Sequence, residues 1–208
     1  MITSLSGKGF LHLNKRATAS EDISVRVAYL DIETNYVGKF TASDDRFFRD
    51  SKNHLITVLG IRLLDENTDL FVQLFDKEIS KASLLKSLEG AEKIVTYNGR
   101  SIPDRLKNRV GFDFPVIAAQ LGVVLDVEFP HVDLCPECWK RNLYGGLKKV
   151  EQQLGIRRQF PEREGAWAME SYRSYIKSGD EQVRSQLLAY NREDVFMLRE
   201  LEIRLKNL

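Results

Sequence analysis

The stretch VRVAYLDIET, residues 25–34, is an apolar run that ends in two carboxylates, Asp31 and Glu33, with Ile32 between them. In an extended chain, side chains two apart share a face. A strand over 25–33 therefore aims both charges at one spot, close to its own end. Like charges held together repel and contribute nothing to folding. Standing alone, a D-x-E at a strand end reads as two solvated charges at a sheet edge. What the rest of the chain brings beside it decides the matter.

Two further stretches supply acids in suggestive settings. In LLAYNREDVFML, residues 187–198, Tyr190 and Asp194 are four apart and share a helix face. Val183, Leu187, Leu198 and Leu201 lie near that face, so Asp194 points inward or into a cleft. An acid among apolar neighbours needs a partner or a cation. Arg192 and Arg199 are the plain partners on the same helix; a shared metal ion is the other option. The third stretch is IVTYNG, residues 94–99, followed after an interruption by GFDFPVI, residues 111–117. Asp113 there sits between Phe112 and Phe114, an unusual setting for an acid on a plain surface.

Taken in order, LDIET, YNG with FDFP, and YNREDV resemble the motifs of the DEDD exonucleases, the proofreading-type branch of the RNase H-like superfamily. The resemblance is strongest to the predicted bacterial exonucleases called YprB-like. HVDL at 131–134 and GGLKKVE at 145–151 look like the intervening segment of that family, and the likeness runs from about residue 25 to the C-terminus. The full set is specific; no single piece is. One departure stands out. In the family pattern the asparagine lies about five residues before the aspartate, whereas here SIPDRLKNRVG separates Asn98–Arg100 from Phe112 and Asp113. Asp104, inside that insertion, competes with Asp113 for the role; FDFPVI is the matching context and favours Asp113.

The resemblance implies an α/β domain with a mixed five-stranded RNase H-like sheet flanked by helices. It implies a 3′–5′ exonuclease that releases nucleoside monophosphates, with two Mg²⁺ or Mn²⁺ ions. By the family pattern Asp31 bridges the ions, Glu33 and Asp194 hold the first and Asp113 the second, and Tyr190 orients the attacking water. The chemistry is coherent. Oxygen-only ligands favour hard divalent cations, and two ions about 4 Å apart grip both the attacking and the leaving oxygen of a phosphodiester. With a reference pKa of about 10, Tyr190 is a poor base near neutral pH. A metal-dependent endonuclease of the same fold, or a nucleic-acid-binding module without turnover, are the rival readings.

Bulk properties set the remaining bounds. The 208 residues, 43% hydrophobic, suffice for one sizeable core. Residues 1–22 mix Ser, Thr, Gly and Lys without a period and read as an arm, with the domain over 23–208. Net charge is +1, so no general basic coat exists and phosphate binding falls to local patches or metal ions. One patch is Arg100, Arg105, Lys107 and Arg109. The other is Trp139, Lys140, Arg141, Tyr144, Lys148 and Lys149. Arg100, Lys148 and Lys149 are the candidate strand-binding cations. Asn98 is either a substrate contact or a turn residue before Gly99. The implied partner is a single strand or 3′ end, of DNA or RNA. CPEC at 135–138 has half the spacing of a zinc site, but a structural zinc takes four ligands and only His131 is near. With two cysteines, no signal-peptide core and no run of about 18 apolar residues, a cytoplasmic protein without membrane spans is expected.

Periodicity predicts strands over 25–33, 54–64, 70–75, 93–97 and 131–134. It predicts helices over 79–91, 114–123, 147–154, 167–177 and 182–205, with 103–110 a loop or short helix.

Overall fold

A computed structural model describes residues 25–37, 50–100 and 111–208. The expected arm over 1–22 and the whole of 103–110, with Asp104, Arg105, Lys107 and Arg109, lie outside the described residues. Five strands form one mixed sheet in the order β3-β2-β1-β4-β5. They are β1 (Val27–Tyr36), β2 (His54–Leu64), β3 (Asp69–Phe75), β4 (Lys93–Thr96) and β5 (His131–Asp133). β1 runs antiparallel to β2 and β2 to β3, while β1–β4 and β4–β5 are parallel. The helices are α1 (Lys81–Ser87), α2 (Asp113–Leu121), α3 (Leu125–Glu128), α4 (Leu134–Trp139), α5 (Leu147–Gln153), α6 (Gly165–Ser178) and α7 (Glu181–Lys206). This is the α/β architecture with a helix-flanked five-stranded sheet that the motifs imply.

β1 is central because it is apolar on both faces, as a strand covered by two layers must be. Ala28, Leu30 and Ile32 face a core built with Leu84 and Leu88 at the α1 end and Phe114, Val116 and Ile117 of α2. Val27 and Tyr29 face a second core with Val150 of α5 and Val195, Leu198, Leu201 and Leu205 of α7. The period of two carries on, so Asp31 and Glu33 continue the row that faces α7. A third cluster joins Ala168 and Tyr172 of α6 to Leu187 and Tyr190 of α7, over Val58 and Phe75.

Several boundaries differ from expectation. β1 does not stop at its acids. It runs to Tyr36, because Asn35 and Tyr36 still pair with Leu55 and His54, after a register shift between Glu33 and Thr34. Such a bulge re-aims side chains locally, here just beyond the carboxylate pair. The helix expected over 79–91 is a 3-10 turn, Asp76–Glu78, and then α1 alone. Ser80 caps α1, accepting from Ser83 N, and Gly90 turns the chain with φ 79°. α3 and α4 are too short for a periodic signal. α4 begins where Asp133 caps it, accepting from Cys135 N at 3.0 Å.

One glycine sets the distance between α7 and the sheet. Gly60 of β2 pairs with Asp31. A Cβ there would lie 2.8 Å from Val195 Cγ2 and closer still to Asn191 Oδ1. Gly60→Ala therefore pushes α7 off the sheet at the level of Asp31. The expected cost is about 1–3 kcal/mol, the usual penalty for overpacking, read as a lower denaturant midpoint with an unchanged m-value.

Candidate active site

Three elements bring acids from distant parts of the chain to one cleft. Carboxylate oxygens of Asp31, Glu33 and Asp194 all lie within 4.8 Å of one another. They are the one group of three or more potential metal-ligating side chains among the described residues. Asp113 stands outside this trio, on the first turn of α2, and lines the same cleft of about 580 Å³. Glu33, Asp113 and Asp194 are buried, while Asp31 keeps partial access.

Asp113 lies close to the end of β4. The chain leaves the end of β4 through Asn98, Gly99 and Arg100 and returns at Gly111. Phe112 N donates to the Asn98 carbonyl at 2.8 Å and Phe114 N to the Gly99 carbonyl at 2.9 Å. Asp113 is thus tied back to the turn on both sides. The turn itself is anchored by Asp133. Its carboxylate accepts Asn98 N at 2.7 Å and Arg100 N at 3.2 Å while also capping α4. Asn98 has φ 61°, a left-handed conformation that asparagine tolerates better than most residues. Its turn role is therefore plain.

Electrostatics make the cleft costly without a cation. Asp31 and Glu33 are both pushed well above the usual carboxylate range. Burial is the first cause for each, followed by Glu33 and Asp194 for Asp31 and by Asp194 for Glu33. Asp113 is raised by burial and then by Asp133. Asp194 is raised by burial against the opposing pull of Arg158. The donors are all hard oxygens in a tight, mutually repelling group, so a divalent cation of the Mg²⁺ or Mn²⁺ type fits them. Zinc's preferred nitrogen and sulfur are absent from the trio. Cys135 and Cys138 are buried on α4, and burial pushes Cys138 up to about 12.

The neighbours of the acids are specific. Asn191 is fully buried and donates from Nδ2 to Asp31 Oδ2 at 2.9 Å. Its own Oδ1 accepts from Gln73 Nε2 at 2.8 Å. Neither Arg192 nor Arg199 pairs with Asp194. Arg192 lies over the Phe71 and Phe196 rings, and Arg199 pairs with Glu202. The partner is instead Arg158, from the loop after α5, whose Nη1 bonds Asp194 Oδ1.

Tyr190 is buried, with the Trp167 ring 5.5 Å away and Lys148 Nζ 2.9 Å from its hydroxyl. Burial and the nearby acids raise its pKa further above the ordinary value, so it stays protonated. An ammonium only donates, so the tyrosine oxygen accepts from Lys148 and keeps its own proton free to donate. Burial lowers the Lys148 pKa even with Asp194 and Glu33 nearby.

Other expected residues lie elsewhere. Arg100 Nε pairs with Asp126 of α3 at 3.2 Å. Lys149 is exposed and lines a separate groove with Arg157. The patch over 139–149 is not free of acid influence. Lys140 and Arg141 both pair with Glu137, one turn back on α4. His131 lies at the sheet end, its Nε2 2.9 Å from Thr96 Oγ1 and its ring on Phe114. Burial lowers its pKa to about 4, a neutral, structural state.

A helix-flanked mixed sheet whose central strand and last helix meet in an acidic cleft defines a nuclease-like class of α/β protein. A family model described as the RNase_H superfamily matches residues 28–206. The chain belongs to that superfamily, and membership points to a hydrolase acting on nucleic acids. No curated protein matches the chain. No helix among the described residues is long and apolar enough to cross a membrane.

The raised carboxylates predict a pH trend. A group with a raised native pKa holds its proton in the folded state after the unfolded chain has lost it. Metal-free stability therefore falls as pH rises above the ordinary carboxylate range, about 4, toward neutrality. In EDTA at neutral pH, Asp31→Asn should raise stability by about 1–2 kcal/mol, or about 2–8 °C in Tm for this chain length. Millimolar Mn²⁺ should raise the Tm of the wild type and leave that of the variant almost unmoved.

Proposed function

We propose that the protein is a metal-dependent nuclease, a 3′–5′ exonuclease of the DEDD type with tyrosine in its third motif, close to the YprB-like branch. The carrying observation is the convergence of Asp31, Glu33 and Asp194, from β1 and α7, within 4.8 Å. Asp113 and Tyr190 line the same cleft. In this reading Asp31, Glu33 and Asp194 hold one divalent ion, Asp31 and Asp113 a second, and both are Mg²⁺ or Mn²⁺. When bound, such ions activate water and offset charge on the phosphate and leaving oxygen.

The chain's own groups do the positioning. Asn191 fixes one oxygen of Asp31, so the proposed bridging carboxylate presents a defined edge. Tyr190, protonated and accepting from Lys148, donates its hydroxyl proton to the attacking oxygen or to a phosphate oxygen. It aims the attack rather than removing a proton. Lys148 adds a cation on the same side of the cleft, placed to meet phosphate charge. The Asn98–Arg100 turn, held by Asp133, sets the opposite wall and carries Asp113 through its backbone bonds. Asn98 lines the cleft and is our candidate contact to the strand. Arg100 and Lys149 are our candidates for phosphates further along it, on DNA or RNA. Two buried cysteines suit a reducing compartment, and we place the protein in the cytoplasm.

A 5′-labelled single strand with Mn²⁺ tests the reading. Stepwise shortening from the 3′ end, with mononucleotides released, is the expected result. Internal fragments would make it an endonuclease, and binding without any cleavage would make it an inactive module. Asp31→Ala should abolish turnover. Tyr190→Phe removes an aiming hydrogen bond and should cost about 10–10³-fold in kcat, the scale of losing one positioned donor, with KM nearly unchanged.

A further inference from the structure

Arg158 sits where no exposed side chain could. Its side chain is 3% exposed, and its carboxylate partners are nearly as enclosed: Glu151 at 1%, Asp194 at 9% and Glu193 at 10%. One edge of the guanidinium, Nε and Nη2, meets both oxygens of Glu151 on α5, with Nη2 to Oε1 at 2.8 Å. The remaining nitrogen, Nη1, bonds Asp194 Oδ1. The loop that carries Arg158 is pinned to α7 on its far side, where Gln159 N and Phe160 N both donate to the Glu193 carboxylate. On its near side, Ile156 N returns to the Glu151 carbonyl at 2.9 Å. Arg158 is therefore fixed in direction before it reaches Asp194.

We propose that Arg158, clamped by Glu151, is a positioning residue that fixes Asp194 by one oxygen so that the other is presented to a divalent cation shared with Asp31 and Glu33. The inference rests on the metal reading of the preceding section and names a residue pair that reading does not need. Its physical basis is geometric. A carboxylate on a helix turns freely about its last torsion, and three acids that repel would splay apart. A rigid two-pronged donor removes that freedom for Asp194. Arginine suits the task because its planar fork serves two carboxylates at once, which an ammonium cannot do with comparable geometry. A buried ion pair is a poor device for stability alone, since apolar residues of similar volume do as well or better. Outer partners of metal ligands change metal affinity by about 10–100-fold when removed.

Charge alone predicts no weakening: both variants in the test keep the net charge, and loss of Arg158 by itself would act the other way. Removing a cation beside an acidic site relieves repulsion of an incoming divalent ion and tightens its binding. The test exploits this with two variants, using Mn²⁺ as the probe and calorimetric titration of the full chain as the readout. Glu151→Gln with Arg158→Met removes both charges of the clamp together, so the net charge is kept and Glu151 is not left buried without its cation. Arg158→Lys keeps the charge and loses the fork. Both should bind Mn²⁺ about 10–100-fold more weakly than the wild type, with far-UV circular dichroism unchanged. Wild-type affinity in Arg158→Lys, or tighter binding in the double variant, overturns the proposal. A wild type that takes up no more Mn²⁺ than Asp31→Asn is a different failure, one that removes the metal site itself.

Discussion

Mutual repulsion of acids on the middle strand of the sheet is the constraint around which the rest is arranged. Asp31 and Glu33 cannot separate, because β1 is hydrogen-bonded to β2 on one side and, lower down, to β4 on the other. α7 crosses that face with Val195 and Leu198 in the core, so Glu33 is buried and Asp31 keeps only partial access to solvent. The fold brings Asp194 in from the same helix. Stability and site are therefore in opposition: packing of α7 against β1 is what concentrates the charge. Gly60 belongs to that opposition, since its missing side chain allows α7 to approach at the level of Asp31. The register shift after Glu33 lies at the same level, where Thr57 of β2 is skipped in the pairing.

The cleft is insulated from the length of chain between Arg100 and Gly111. Loop-closure entropy rises only slowly with length, so an added stretch is cheap when its ends are already held together. Here they are held by two backbone bonds between Asn98–Gly99 and Phe112–Phe114 and by Asp133 beneath the turn. Asp133 gathers donors from two directions, the turn and the start of α4. It is the reason a strand of only three residues, β5, has a fixed relation to the acids.

Most of the framework was legible in the sequence because it is written in local periodicity. Alternation over 25–33 and 54–64, helical spacing in 182–205, and the acids within them all carry their own signals. The same local reading stops β1 at its charges, since Thr34 to Tyr36 are not apolar; cross-strand pairing with Ile56, Leu55 and His54 extends it. It also offers Arg192 or Arg199 as partners of Asp194, being the arginines on the same helix. The true partner, Arg158, lies in a polar loop and becomes visible only when α5 and α7 are side by side. Asn191 had a signal, three residues before Asp194 and next to Tyr190, yet asparagine beside tyrosine is ordinary on a helix. Asp133 had a signal of the same kind, an acid at a strand end, which takes meaning from the turn it supports.

Two cations attend the cleft, and their chemistry differs as their partners do. Arg158 cannot lose its proton under ordinary conditions, is enclosed, and is paired with the carboxylates of Glu151, Asp194 and Glu193. It is a fixed part of the acid framework. Lys148 is half-buried, meets the Tyr190 hydroxyl with one of its three protons, and retains others for whatever enters. Its neighbour Lys149 is exposed and lines a second groove that Lys148 also borders. Helix α5 therefore contributes Lys148 to the tyrosine side of the cleft and Glu151, one turn on, to the clamp on Arg158. A single short helix thus carries both the lysine that meets the Tyr190 hydroxyl and the carboxylate that clamps Arg158. That placement explains how a loop and a two-turn helix, neither of them part of the sheet, come to define the geometry of an acidic site built on β1 and α7.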